Sequence, residues 1–92
     1  MSKNVSKEQA FWFCNNKGWV GHIAHNVEEF SREVKTVPID SIEFHLRENK
    51  NDFESWMTNV MQEKRLAKKM MQIKKQGLRG EDLRKALVAL FE

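Results

Sequence analysis

The sequence predicts a mostly helical α+β fold, in which an N-terminal β-hairpin packs on four to five short helices. Two observations predict it: a pair of aromatic, strand-like runs near the N-terminus, and apolar stripes of helical spacing over most of the remaining chain. The 92 residues are 40% hydrophobic and 32% charged, a globular composition that is sufficient for one modest core. We therefore expect a single domain over residues 1–92, with residues 1–9 as a flexible lead.

The hairpin is predicted from two apolar runs that a short polar segment separates. The first run is Phe11-Trp12-Phe13-Cys14, and the second begins at Trp19. The intervening residues 15–18 end in Gly18, which can take the left-handed backbone that such loops require. A lone hairpin is marginal in water, so we expect this one to pack on the helices.

The first two helices are predicted from a cap and a proline. Asn26 is the expected N-cap, with Glu29 in the capping-box position, and the pattern stops before Pro38. This places the first helix at about 27–36. Residues 38–46 fit either a strand or a short helix, and we favour the helix.

Three further helices are predicted from their apolar stripes. Asn51 is expected to cap the first of them, and its stripe loses phase after Met61, which predicts a break near residues 62–63. The next helix is expected to end at Gly77. The last covers about 81–91.

The net charge of +3 conceals an asymmetry between the two parts of the chain. Residues 1–54 hold seven Lys and Arg against nine Asp and Glu (7 − 9 = −2), whereas residues 55–92 hold nine against four (9 − 4 = +5). The basic run lies in the predicted fourth helix and comprises Lys64, Arg65, Lys68, Lys69, Lys74 and Lys75. Such a strip is typical of phosphate contacts, and a solvated helix face is the alternative. The candidate phosphate-contacting residues are Lys64, Arg65, Lys68, Lys69 and Lys75.

Metal, cofactor and catalytic motifs are not found in the sequence. Cys14, His22 and His25 are zinc-type ligands, but their spacing matches no standard zinc finger, and a free Cys in an aromatic strand usually acts as a small hydrophobe. A Cys–His nucleophile pair would need an orienting third group. There is no Gly-rich phosphate loop, and so short a chain has little room for a deep pocket of ~300 Å3 or more. We therefore expect no metal, no cofactor and no enzymatic activity.

The tryptophans of the hairpin have two possible roles. Trp12 and Trp19 could form a stacking platform for bases, although aromatic pairs across a hairpin more often hold the strands together. If one of them faces solvent, a partner site is favoured, since exposed apolar patches tend to be interfaces.

The segment 44–56 carries the most distinctive motif. It contains His45, then Lys50-Asn51-Asp52-Phe53, then Trp56, and Leu66-Ala67 follows in the next helix. With the aromatic strand at 11–13 and the helix from Val27, this pattern resembles a family of small, largely archaeal domains of unknown function. The resemblance covers about residues 10–90 and departs from the family in the longer 15–18 turn. It implies the fold and supplies no activity.

The motif has a structural and a functional interpretation. In the structural one, Asn51 caps a helix, Asp52 lies at its positive end, and His45 hydrogen-bonds Asp52 across the connection. In the functional one, a surface recognition cluster is formed by His45, Lys50, Asn51, Asp52 and Trp56. We favour the structural interpretation because capping already explains Asn51.

The sequence thus favours a non-enzymatic protein-interaction module with a protein partner. The alternative is a nucleic-acid-binding protein that uses the basic helix around residues 64–75, and a homodimer is a third possibility. No apolar run approaches the ~18 residues of a membrane span, so no membrane partner is expected. The single Cys14 and the lack of a signal peptide indicate a cytoplasmic protein.

Overall fold

The fold of residues 3–92, which the computed structural model describes, is an antiparallel hairpin followed by five helices. The strands are β1 (Phe11–Asn15) and β2 (Gly18–Ala24). The helices are α1 (Val27–Thr36), α2 (Ile39–His45), α3 (Asp52–Asn59), α4 (Lys64–Lys75) and α5 (Gly80–Ala89). The predicted α+β class is confirmed.

A bulge interrupts the pairing of the two strands. Phe13 lies opposite His22, yet the next residue of β1, Cys14, lies opposite Trp19. The second strand therefore accommodates two extra residues, and one of them, Gly21, has φ of +90°. A side chain is strained at this angle, so glycine is the residue suited to the bulge.

The hairpin turn is tighter than the sequence predicts. Asn15 and Gly18 are already paired, so the loop is only residues 16–17 instead of 15–18. The Asn15 side chain accepts the N–H of Lys17 at 2.8 Å, and Gly18 has φ of +118°. This hydrogen bond from the Lys17 N–H to the Asn15 side chain stabilises the turn, so the strand pairing extends as far as Asn15 and Gly18.

The first helix begins at its predicted cap and ends before Pro38 as predicted, and the segment after Pro38 is a second helix. Asn26 accepts the N–H of Glu29 at 2.7 Å, and the Glu29 carboxylate accepts the N–H of His25, one residue before the cap. The observed α1 has the predicted boundaries. Residues 39–45 are helical, so the segment after Pro38 resolves in favour of the helix.

The remaining helices confirm the predicted breaks. Asn51 accepts the N–H of Glu54 at 3.0 Å and caps α3. Gln62 takes the left-handed φ of +59° between α3 and α4, which explains the lost phase of the apolar stripe. Gly77, with φ of +70°, follows α4. The last helix runs from 80 to 89 and so begins one residue earlier, and ends two residues earlier, than predicted.

The core joins the inner face of the hairpin to the helices through aromatic rings. Phe11 and Phe13 project from β1 and contact Phe30 of α1 at ring-centroid distances of 5.6 and 5.4 Å. Phe53 of α3 packs 5.2 Å from Phe30. All four rings are buried. This packing supplies the support that the hairpin needs, and it directs the opposite face of the hairpin away from the core.

The lead before β1 makes hydrogen bonds with the rest of the fold. Val5 donates its N–H to the carbonyl of His25 at 2.9 Å, and the indole of Trp56 donates to the carbonyl of Gln9 at 2.8 Å. The flexibility expected for residues 1–9 stays a prediction, and residues 1–2 of this segment lie outside the described part of the chain. None of the helices in the described part of the chain has the length and apolar character of a membrane span.

Candidate functional site

His45 lies at the C-terminal end of α2, between the hairpin and the start of α3. Its side chain is buried, and both ring nitrogens have partners. Nε2 accepts the backbone N–H of Cys14 at 2.9 Å, and Nδ1 lies 2.8 Å from Oδ2 of Asp52. Because Nε2 acts as an acceptor it carries no proton, so the proton is on Nδ1 and is donated to Asp52. The expected hydrogen bond between His45 and Asp52 is therefore present.

The environment of His45 favours its neutral form. Burial lowers the pKa of His45 from its ordinary value of 6.5, because an apolar surrounding disfavours the charged ring. The hydrogen bond and the charge of Asp52 raise the pKa, and the positive charge of Arg47 lowers it again. Burial is the largest of these effects, so the net shift is downward.

Aromatic rings enclose the imidazole of His45. Ring centroids lie 4.7 to 6.3 Å from it for Phe11, Phe13, Phe44 and Phe53. This shell leaves the ring little contact with solvent. An external ligand would have to displace core side chains to reach it, so the position supports a structural role for His45.

Cys14, His45 and Asp52 occur in the order of a thiol–imidazole–carboxylate triad. In such a triad the imidazole nitrogen remote from the carboxylate faces the sulfur. Here that nitrogen accepts the backbone N–H of Cys14, while the Cys14 Sγ lies 3.4 Å from the carbonyl oxygen of Trp12. The lone pair that would activate the thiol is occupied, so this geometry does not form a nucleophile.

The other motif residues are divided between the core and the surface. The Asn51 amide also donates to the carbonyl of Met70 at 3.3 Å, which joins α3 to α4. Trp56 is buried, with its indole N–H bound to the lead. Lys50 alone has an exposed side chain, and Asp52 is partly exposed. The structure therefore does not gather the five motif residues into one surface cluster.

The zinc-type ligands near the hairpin are directed to separate partners. His22 Nδ1 lies 2.7 Å from the Glu33 carboxylate, and His25 Nδ1 lies 3.0 Å from Glu29. Across residues 3–92, no three His, Cys, Asp or Glu side chains converge as a metal site would require. Cys14 and the two histidines are thus not brought together.

The outer face of the hairpin carries two tryptophans in contact. Their rings are 5.2 Å apart in an edge-to-face arrangement. Trp19 is 55% exposed and is the one exposed large apolar residue in the described part of the chain. Ile23 lies opposite Trp12 in the register and shares its side of the sheet. We call the surface formed by Trp12, Trp19 and Ile23 the tryptophan face.

The basic run of α4 has two kinds of residue. The side chains of Lys64, Arg65, Lys68, Lys69 and Lys75 are exposed; we call this set the basic face. Lys74 differs, because its ammonium donates to the carbonyls of Leu46 at 2.6 Å, of Arg47 at 3.5 Å, and of Lys50. These hydrogen bonds of Lys74 link α4 to the end of α2, and we call them the brace.

Comparison with protein families gives one finding. The model of a family of unknown function (DUF5752) matches residues 1–92. The chain belongs to this family. Membership confirms the resemblance to a family of unknown function, whereas the archaeal distribution and the motif stay predictions. Comparisons with curated proteins and with solved structures find no significant match.

An open groove of about 400 Å3 lies between α2 and the loop that joins α4 to α5. The groove is open at the surface, so it is not the deep pocket for which a chain of this size was expected to have little room. Part of its charged lining is engaged: the Glu43 carboxylate accepts the N–H of Gly80 at 2.9 Å, and Arg47 lies 3.9 Å above the Phe44 ring. The Glu43 contact joins α2 to the start of α5.

Sequence reasoning missed two partners of the candidate site. The roles of Lys74 and of the Cys14 N–H depend on the end of α2 approaching both α4 and β1. The helical spacing of α4 carries a signal for Lys74, which lies four residues after Met70 and seven after Ala67 and therefore on the buried side of the helix. The sequence gives no signal for the carbonyls that it contacts.

Proposed function

We propose that the protein is a non-enzymatic interaction module that binds a protein partner through the tryptophan face. The observation that carries the proposal is the exposure of Trp19, at 55%, on a face that the core leaves uncovered. Tryptophan is enriched in protein interfaces and in the few residues that dominate their binding energy. The exposed apolar area would be removed from water by a partner.

The hydrogen bonds of the two indoles support this role. The Trp19 N–H donates to the carbonyl of His22 at 2.8 Å, and the Trp12 N–H donates to that of Lys7 at 3.0 Å. Both polar atoms are satisfied within the chain, so the rings offer apolar surface without a polar group that a partner would leave unpaired. Their fixed orientation also reduces the entropy lost on binding.

The size and charge of the tryptophan face indicate the kind of partner. The tryptophan face consists of three residues, of which only Trp19 is exposed, whereas each side of a standard interface contributes roughly 20–30 residues. We therefore expect a transient complex. Exposed Lys7 precedes the face in the chain and exposed Lys17 lies in the turn, so an apolar segment flanked by carboxylates complements it.

Affinity capture with matched variants tests this function. Immobilised wild type should enrich a protein that Trp19→Ser no longer retains and that Lys35→Ser, a change at an exposed site on α1, still retains. The purified protein should then bind the wild type directly in calorimetry, at least tenfold more tightly than it binds Trp19→Ser.

Two outcomes would contradict the proposal. Trp19→Ser could retain the same proteins as the wild type. It could also lower the free energy of unfolding by more than about 3 kcal/mol, as a core aromatic does, which would make the Trp pair a device that holds the hairpin together. A second copy of the chain as the partner would be detected as a concentration-dependent mass in light scattering.

A further inference from the structure

The basic face covers the solvent side of α4. With 100° between successive residues, its five cations lie within an arc of about 140° centred opposite the buried stripe of Ala67, Met70 and Ile73. Gln72 is the uncharged polar residue within the arc. The five charges are therefore presented together to solvent along one side of a twelve-residue helix.

The charges of the basic face are not neutralised by the fold. In the part of the chain that the structure describes, none of the five cations forms an ion pair with an Asp or Glu. Helix α4 has no acidic residue in its first turn, and it begins with Lys64 and Arg65. Lys64 and Arg65 lie at the N-terminal end of α4, where the helix dipole disfavours positive charge, so these two cations do not stabilise the helix.

The surroundings of the basic face favour one class of partner. A membrane-surface helix must insert its apolar side into lipid, but Ala67, Met70 and Ile73 are buried in the core. Protein interfaces are depleted in lysine and rich in aromatics, whereas four of the five cations here are lysines. A row of point charges on the solvent side of a helix whose apolar stripe is buried fits the phosphates of a nucleic-acid backbone.

We propose that the basic face of α4 binds the phosphate backbone of nucleic acid, without sequence preference, through Lys64, Arg65, Lys68, Lys69 and Lys75. This site is separate from the tryptophan face and does not depend on the proposed protein partner. Lys74 does not take part, because backbone carbonyls of the loop after α2 already hold its ammonium. Four of the five side chains are lysines, which contact phosphates as point charges, so the contact is mainly electrostatic.

The affinity of the basic face for nucleic acid is expected to depend on salt concentration. If all five cations contact phosphates of a duplex, the logarithm of the association constant falls with the logarithm of salt concentration with a slope of about −4.5. Between 50 and 200 mM salt the affinity then falls about 500-fold. With two contacts removed, the slope becomes about −2.7 and the fall about 40-fold.

Fluorescence anisotropy with a labelled duplex DNA and a labelled single-stranded oligonucleotide, over a salt series, tests the proposal on the full chain. The test variant is Lys68→Gln/Lys69→Gln. The matched control is Lys35→Gln/Lys85→Gln, two exposed lysines on α1 and on α5. Both variants lower the net charge from +3 to +1 (3 − 2 = 1). We expect the test variant to flatten the slope by about 2 and the control to keep it.

Three results would overturn the proposal. The control could weaken binding as much as the test variant, which would reduce the effect to net charge. Polyglutamate could compete as well as an oligonucleotide of equal charge, which would indicate an acidic protein. Vesicles of phosphatidylserine and phosphatidylcholine could bind the wild type while oligonucleotides do not, which would indicate a membrane surface. Circular dichroism of each variant verifies that it is folded.

Discussion

The chemistry of His45 depends on which of its nitrogens carries the proton. The Cys14 N–H requires a lone pair on Nε2, and Asp52 accepts a proton from Nδ1. Protonation of the ring would place two donors, Nε2–H and the Cys14 N–H, against each other. The fold thus requires a neutral imidazole, which agrees with the lowered pKa of His45.

The lowered pKa of His45 predicts that acid destabilises the fold. The unfolded state, with a pKa near 6.5, takes up the proton first, so the contribution of His45 to stability is complete above pH 6.5 and is lost as the pH falls through the folded-state pKa. The free energy of unfolding, measured in urea between pH 7.5 and 5, should fall more steeply for the wild type than for His45→Gln. Equal slopes would contradict this.

An NMR measurement tests the same prediction without a variant. Long-range proton–nitrogen spectra distinguish the two neutral tautomers of histidine. We expect the Nδ1–H tautomer for His45 at pH 7.5, with a pKa below 6.5. An Nε2–H tautomer, or a raised pKa, would mean that the Cys14 contact does not hold the ring and that His45 is free for another role.

Replacing Ser41 is expected to stabilise the fold. Its Oγ is buried and has no hydrogen-bond partner in the described residues. A buried hydroxyl without a partner costs free energy, so Ser41→Ala should raise the free energy of unfolding by about 1 kcal/mol more than Ser55→Ala, a change at an exposed helical site. Urea denaturation measures both. A loss of stability in Ser41→Ala alone would show that the hydroxyl is used.

Residue roles were predictable from the sequence where their partners are near in the chain. The caps at Asn26 and Asn51 bond residues three positions away, and the His45–Asp52 contact spans seven. By contrast, the Cys14 contact with His45 spans 31 residues. Such a contact depends on how β1 lies against α2, which local patterns do not contain.

At the scale of elements, the helices were predicted where a cap and an apolar stripe agree. Segment 39–45 stayed ambiguous because its apolar residues fit periods of both two and about four. The structure resolves it through burial: Ile42 and His45 lie one turn apart on the core side of α2. The tight hairpin turn was missed because it depends on one Asn15 side-chain contact.

The brace between α4 and α2 gives a prediction at this scale. Lys74 donates to the carbonyl of Leu46 at the end of α2 at 2.6 Å, and it also approaches the Arg47 carbonyl, which accepts the N–H of Lys50. Lys74→Met should therefore lower the free energy of unfolding by about 2 kcal/mol, as expected for hydrogen bonds of a charged donor. Lys75→Met, at the adjacent exposed site, should change it by less than about 0.5 kcal/mol. Equal effects in urea denaturation would exclude the brace.

At the scale of the whole molecule, the core fixes which surfaces remain for partners. The inner face of the hairpin and the apolar stripe of α4 are buried, so their opposite sides, the tryptophan face and the basic face, are left to solvent. The sequence identified the two tryptophans and the five cations. It could not decide which tryptophan is exposed or which carbonyls Lys74 contacts, because both depend on packing between elements.

The two faces are expected to act independently. Trp19→Ser should keep the oligonucleotide affinity within about twofold, because additivity holds for sites without shared partners. Lys68→Gln/Lys69→Gln should keep the captured protein. Anisotropy and calorimetry on each variant measure the two affinities. Loss of both affinities in one folded variant would indicate a single composite surface.

Site-specific photocrosslinking in living cells tests the central claim, that the outer side of the hairpin contacts a protein, most directly. A benzophenone side chain would replace Lys17, in the turn beside Trp19, and in a matched chain it would replace Lys35 on α1. We predict a discrete protein adduct from position 17 that is absent from position 35 and is lost when Trp19→Ser is added. Adducts that are equal at both positions, or that survive Trp19→Ser, would contradict a recognition role for the tryptophan face.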